Sequence, residues 1–128
     1  MNFGYTLLYV KDVPATMTFY EQAFGIKRAF LHESNAYGEM DTGTTKLGFV
    51  ALDVASGNGV KFKPVTAAGD PPGIELGFVT DKVAEQYKKA ISAGAVKVLA
   101  PITKPWGQEV SYVRDCNGFL VEICSPMG

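Results

Sequence analysis

The chain has 128 residues, 47% hydrophobic and 20% charged, with 12 basic and 13 acidic side chains for a net charge of −1. A chain this apolar is not wholly disordered, and its length fits one domain. A near-neutral balance without a Lys/Arg cluster argues against nucleic acid as a partner.

No apolar run reaches 18 residues, so no transmembrane helix is expected and no membrane partner. The opening MNFGYTLLYVKDV lacks a basic n-region and reads as a strand, not a signal peptide. Tyr5–Asp12 is apolar and β-rich. Val13-Pro14 then leads into Ala15–Phe24, a helix with Pro14 in its first turn and Gly25 just past its end. Ala15, Phe19, Tyr20, Ala23 and Phe24 form its core-facing stripe. Strand signals follow at Lys27–His32, Ala36–Asp41 and Lys46–Leu52, with Gly43 in the turn between the last two.

After a Gly/Pro-rich linker the pattern repeats. Ile74–Asp81 is a strand, Lys82–Ala93 a helix closed by Gly94, and Val96–Leu99, Glu109–Arg114 and Phe119–Cys124 are strands. Asp12 precedes Gly25 by thirteen residues, and Asp81 precedes Gly94 by thirteen. Both Asp residues suit helix N-caps. Asn117-Gly118 predicts a hairpin turn with positive φ at both positions. The organisation expected is α+β: one domain of two βαβββ modules, at about 1–54 and 74–128, joined by a linker at about 55–73. Two such four-stranded sheets are expected to form an open cavity, the natural place for a ligand.

Cys116 and Cys124 are too few for a disulfide scaffold and are expected as reduced thiols in a cytoplasmic protein. Cys116 sits in an exposed turn and Cys124 in the core by this reading. With His32 the sole histidine, no Ser-His-Asp triad can be assembled. No P-loop or GxGxxG is present.

The run YVKDVPATMTFYEQAFGI and the tail KPWGQEVSYVRDCNGFLVEI resemble the opening module and closing strands of the vicinal oxygen chelate superfamily. That group includes glyoxalase I, extradiol dioxygenases and bleomycin-resistance proteins. Cys116 stands where the family usually has Pro in its D-P-x-G turn. The resemblance implies a homodimer whose strands complete the ligand cavity. It also implies metal ligands on the first and last strand of each module. Those positions fall on Tyr5, on Leu47, Gly48 or Phe49, on Glu75 and on Glu122. The internal repeat pairs Glu75 with Thr6. The family register pairs it with Tyr5, and is preferred because Tyr5, Leu7 and Tyr9 then share a face that matches Glu75, Gly77 and Val79.

This set holds two carboxylates, a tyrosine and a position without a donor, and a catalytic divalent site ordinarily needs three or more ligands, imidazole among them. No metal cofactor is therefore expected. Glu75 and Glu122 are the fallback ligands, and Asp53 would serve only in a different strand register. The expected ligand-binding residues are Tyr5, Tyr9, Phe49, Glu75, Trp106, Gln108, Tyr112 and Glu122, with Tyr37 a further lining candidate. Trp106 suits stacking on a planar group and Gln108 hydrogen bonding to it. Each also has a bland reading: strand aromatics as core, Trp106 at an interface, and the carboxylates held by Gln108 and Tyr112. The leading functional expectation is a protein that sequesters a small organic ligand, cationic or aromatic. The alternatives are a metal-dependent lyase, isomerase or transferase of the glyoxalase type, and a metal-free enzyme with Glu75 or Glu122 as general base.

Overall fold

The structure, a computed structural model, describes residues 1–127. In chain order it has β1 (Tyr5–Val10), α1 (Val13–Phe24), β2 (Arg28–Leu31), β3 (Tyr37–Met40), β4 (Lys46–Ala51), α2 (Leu52–Gly57), β5 (Glu75–Val79), α3 (Val83–Ser92), β6 (Val96–Thr103), β7 (Glu109–Arg114) and β8 (Leu120–Cys124). The strands form two four-stranded sheets, ordered β1-β4-β3-β2 and β5-β8-β7-β6. In each, the first pair is parallel and the remaining pairs antiparallel. The α+β class and the duplicated βαβββ order follow the sequence reading. The chain divides into two compact units: Met1–Glu21 with Gly25–Val65, and Gln22–Phe24 with the chain from Thr66 onward.

In the first unit, β1 turns Leu8 and Val10 inward, and both are buried. They pair with Phe49 and Ala51 of β4. α1 closes this side with Met17 and Tyr20, both fully buried, and the Tyr20 ring lies 5.0 Å from that of Phe49. Gly38 is required here, because a Cβ would run into the Met17 sulfur. α1 is capped as its sequence predicts. Asp12 Oδ1 accepts the Ala15 N–H at 3.0 Å, and Gly25 adopts φ 67° just past the last turn.

The second unit packs α3 over β6, β7 and β8. Val83, Tyr87 and Ala90 of α3 are buried, as are Val113, Val121 and Ile123 beneath. Here Asp81 does not cap. The helix begins one residue later than expected, Lys82 occupies the cap position without a side-chain bond, and Thr80 Oγ1 accepts the Lys82 N–H at 3.1 Å.

Three further differences from the sequence reading have local causes. Leu52–Gly57 forms α2, so the expected end of a strand and start of the linker are helical; six residues are too few to show a 3.6 period. It also puts Asp53 on a helix, where its Oδ1 accepts the Val54 N–H, away from any strand position for a ligand. β6 runs to Thr103 through Pro101, which an edge strand tolerates because the register breaks between Leu99 and Ile102. In the β7–β8 turn only Gly118 has positive φ, at 101°. Asp115 Oδ1 accepts from the backbone N–H of Asn117 and Phe119, at 2.8 and 2.9 Å, and this side-chain turn replaces the expected geometry.

Candidate functional site

Strand alternation gives the second sheet one face under α3 and one open face. Glu75, Gly77 and Val79 of β5 stand on the open face opposite Leu120, Glu122 and Cys124 of β8. Tyr112 of β7 flanks Glu122 from the other side. The Tyr112 hydroxyl donates to Glu122 Oε2 at 3.1 Å. Gly77 leaves room beside Glu122: a Cβ there would be 3.7 Å from Oε1. Glu75, two residues before Gly77, stands on the same face with its carboxyl near that of Glu122.

Two carboxyls that close cannot both ionise freely. Burial, the hydrogen bond to Glu122 and repulsion from its charge together hold Glu75 above the usual carboxylate range. Glu75 is an exposed residue, so water screens part of this effect. Tyr112 is pushed up to about 12 by burial and then by its bond to Glu122, and it remains a neutral donor.

The cluster extends along the same face. The Cys124 thiol donates to the Phe78 carbonyl at 3.8 Å, and burial followed by the charge of Glu122 pushes it up. It is an inert thiol rather than a nucleophile. Gln108 Nε2 donates to the Ser125 carbonyl at 3.0 Å, and Gln108 Oε1 accepts the Trp106 indole N–H at 3.0 Å. Trp106 is 64% exposed, with Lys104 Nζ 6.0 Å from its ring centre. Tyr112 and Glu122 are joined by one hydrogen bond, and Trp106 and Gln108 by another. Cys124, two residues after Glu122 and opposite Val79, stands on the same face, a placement that alternation along β8 could have given.

Tyr5 and Tyr9 stand on the open face of the first sheet, opposite Lys46 and Val50. Phe49 does not join them. It is fully buried on the opposite face against Tyr20, because its register puts it beside Leu8, so it is removed from the binding residues. Two residues not expected as a pair stand on the open face instead: the Tyr37 hydroxyl donates to Glu39 Oε2 at 2.6 Å. Burial, then that bond, pushes Tyr37 up to about 12. Lys46 Nζ lies 3.6 Å from Glu39 Oε1. The linker's Phe62 packs edge-on against Tyr9, with centroids 4.8 Å apart.

Register also settles which residue of the first sheet matches Glu122. Glu122 sits opposite Gly77, and Gly48 sits opposite Leu7. The positions that the resemblance gives to metal ligands are thus Tyr5 and Gly48 in the first sheet and Glu75 and Glu122 in the second. Gly48 has no donor, and a Cβ there would meet Leu7 Cδ2 at 2.7 Å. Among the described residues no three His, Cys, Asp or Glu side chains group as a metal site. The donor set does not fit the family's divalent centre.

A glyoxalase-like domain model matches residues 3–128. The chain belongs to the glyoxalase-like domain family. Its fold is that of the vicinal oxygen chelate superfamily, as solved structures show. A glyoxalase-related enzyme from Fulvimarina pelagi superposes with a TM-score of 0.83 at 19% identity, over 98% of this chain and 88% of that one. A glyoxalase/bleomycin resistance protein/dioxygenase family enzyme from Burkholderia phytofirmans PsJN gives 0.78 at 22%, over 98% of both. TioX from Micromonospora sp. ML1 gives 0.72 at 21%, again over 98% of both. Identities this low carry the fold and not the activity. No match was found among curated protein sequences. No helix among the described residues is long and apolar enough to cross a membrane.

Proposed function

We propose that this glyoxalase-like chain binds a small organic ligand, cationic or polar aromatic, on the open face of its second sheet, without a family-type metal. The observation that carries this reading is the Glu75–Glu122 carboxyl pair beside the neutral Tyr112 hydroxyl. A cationic group relieves the repulsion between the two carboxyls. Trp106, exposed and oriented by Gln108, supplies a face for stacking or cation–π contact. The exposed side chains of Ile74 and Val79, 60% and 64% accessible around edge strand β5, support a second copy of the chain as partner.

Trp106 is the chain's one tryptophan, so its fluorescence reports on this site. Titration with a panel of cationic aromatic compounds, beginning with benzyltrimethylammonium, is expected to give saturable quenching and thermal stabilisation. Glu122→Gln should weaken binding about tenfold or more, the cost of losing a charged partner. Binding that is indifferent to Glu122→Gln and Glu75→Gln sinks the reading. The proximity of the two carboxyls favours one second reading, a metal-free enzyme in which one carboxyl acts as base and the other as acid. In that case turnover disappears in both Gln variants while binding persists.

A further inference from the structure

A helix is about 10 Å across and strands lie about 4.8 Å apart, so one helix covers only two or three strands of a four-stranded sheet. α3 lies over β6, β7 and β8. The helix-side face of β5, which carries Phe78, is covered by Phe24 from the last turn of α1, with ring centroids 5.3 Å apart and planes at 40°. Between that turn and the first turn of α3 remains a partly open cleft of about 220 Å³. It is lined by Phe24, Phe78, Val79, Thr80, Gln86 and Ile123. Phe78 and Ile123 alternate with Gly77 and Glu122, so the cleft is on the opposite side of the sheet from the carboxyl pair.

The lining specifies a ligand chemistry. No charged side chain is in it, and its walls are the rings of Phe24 and Phe78, the Ile123 side chain and the end of β5 at Val79. Gln86 is half-buried, and among the described residues its carboxamide engages no protein partner. That group offers both donors and an acceptor. Thr80 Oγ1 accepts from the Lys82 N–H, leaving its hydroxyl proton to donate. An apolar cavity of about 150 Å³ suffices for benzene. We propose that this cleft is a second binding site, for a small neutral molecule with one flat apolar ring and one hydrogen-bonding group.

The test uses the full ¹⁵N-labelled chain, with phenol and toluene as probes of equal ring and unequal polarity. Phenol is expected to give saturable shifts centred on the amides of Phe24, Phe78, Thr80, Gln86 and Ile123, with toluene several-fold weaker. Gln86→Leu should cost phenol about two- to tenfold in affinity, the value of one hydrogen bond, and leave toluene as tight or tighter. Gln86→Trp, placed on the helix surface where folding tolerates it, should fill the mouth and abolish both. Shifts that never saturate, that scatter over the chain, or that keep their phenol preference in Gln86→Leu overturn the proposal.

Discussion

Gly48 in the first sheet and Glu122 in the second occupy the same place in the same topology, and nearly everything chemical in the molecule follows from that difference. Around Glu122 the neighbouring strand offers Gly77, so the carboxylate has room and gathers Glu75 and Tyr112. Around Gly48 the neighbouring strand offers Leu7, and the space is filled by Leu7 and by Tyr37, whose hydroxyl would lie 3.4 Å from a Cβ there. The first sheet keeps its acid on β3 instead, as Glu39 bonded to Tyr37 and facing Lys46. One duplicated scaffold thus carries a neutralised carboxylate on one open face and a crowded pair of carboxyls on the other. A carboxylate beside a lysine needs no ligand, whereas two facing carboxyls favour a proton or a cation between them.

The two units also differ at the far end of the sheet. Arg114 of β7 is buried and donates to four backbone carbonyls: Gly118 at 2.9 Å, Thr66 at 2.9 Å, Ala67 at 3.3 Å and Gly69 at 2.6 Å. It ties the linker to the β7–β8 turn. A Cβ at Gly118 would collide with the Thr66 carbonyl, so the linker lies directly on that glycine. The matching residue of the first unit is Asp41, which is exposed and anchors nothing comparable. The largest effect expected is therefore at Arg114. Arg114→Ala should lower stability by about 3 kcal/mol, since charged hydrogen bonds are lost and a buried carbonyl is stranded. Arg114→Lys should recover little of it, because an ammonium cannot span four carbonyls as the fork does. Urea unfolding measures both. A loss below about 0.5 kcal/mol, the scale of an ordinary surface change, would erase this distinction between the units.

The next effect sharpens the first comparison directly. Gly48→Glu puts into the first sheet the carboxylate that the second one has. Overpacking against Leu7 should cost about 1–3 kcal/mol. Calorimetry with nickel or zinc should show no stoichiometric binding to Gly48→Glu alone. Adding Leu7→Ala should return part of the stability by making room. Tight divalent binding by the single variant would mean that Leu7 yields easily and that the donor set, not the packing, is what the first sheet lacks.

Much of this was readable from residues alone, for reasons that can be named. The match of Tyr5 with Glu75 is what the resemblance implies, whereas the internal repeat alone pairs Glu75 with Thr6; alternation only favours the first, by setting Tyr5, Leu7 and Tyr9 against Glu75, Gly77 and Val79. The Asp12 cap was legible because Pro14 and Gly25 fix both ends of α1. Asp81 has the same spacing to a glycine but no proline to set the helix start, and α3 begins without a side-chain cap. Phe49 was misplaced because the loop before β4 differs in length from its counterpart, which leaves Leu47, Gly48 and Phe49 equivalent in sequence. Only pairing with Leu8 separates them. The Arg114 anchor had almost no local signal, since three of its four partners are backbone carbonyls 45 to 48 residues away. The Gly77–Glu122 juxtaposition likewise needed the parallel β5–β8 pairing, which no short-range pattern encodes.

The smallest effect bears on the carboxyl pair itself. Folding holds Glu75 above its ordinary pKa, so the folded chain favours its protonated form. Its contribution to stability is then fully present below the usual carboxylate range and is lost as pH rises through the raised value. At neutral pH the pair works against the fold. Glu75→Gln, which keeps the hydrogen bond and removes the charge, should therefore stabilise the chain at about pH 7.5. Glu75 is exposed, so screening limits the gain to roughly 0.5 kcal/mol, or about 2–3 °C in Tm. The gain should vanish as pH falls toward about 4, where the wild-type carboxyl takes up its own proton. Glu39→Gln in the first sheet should behave oppositely at neutral pH, losing a little stability with its Lys46 contact. If instead both Gln variants shift Tm in the same direction at every pH, the two open faces do not differ in charge balance, and the case for a cation at Glu75 and Glu122 loses its footing.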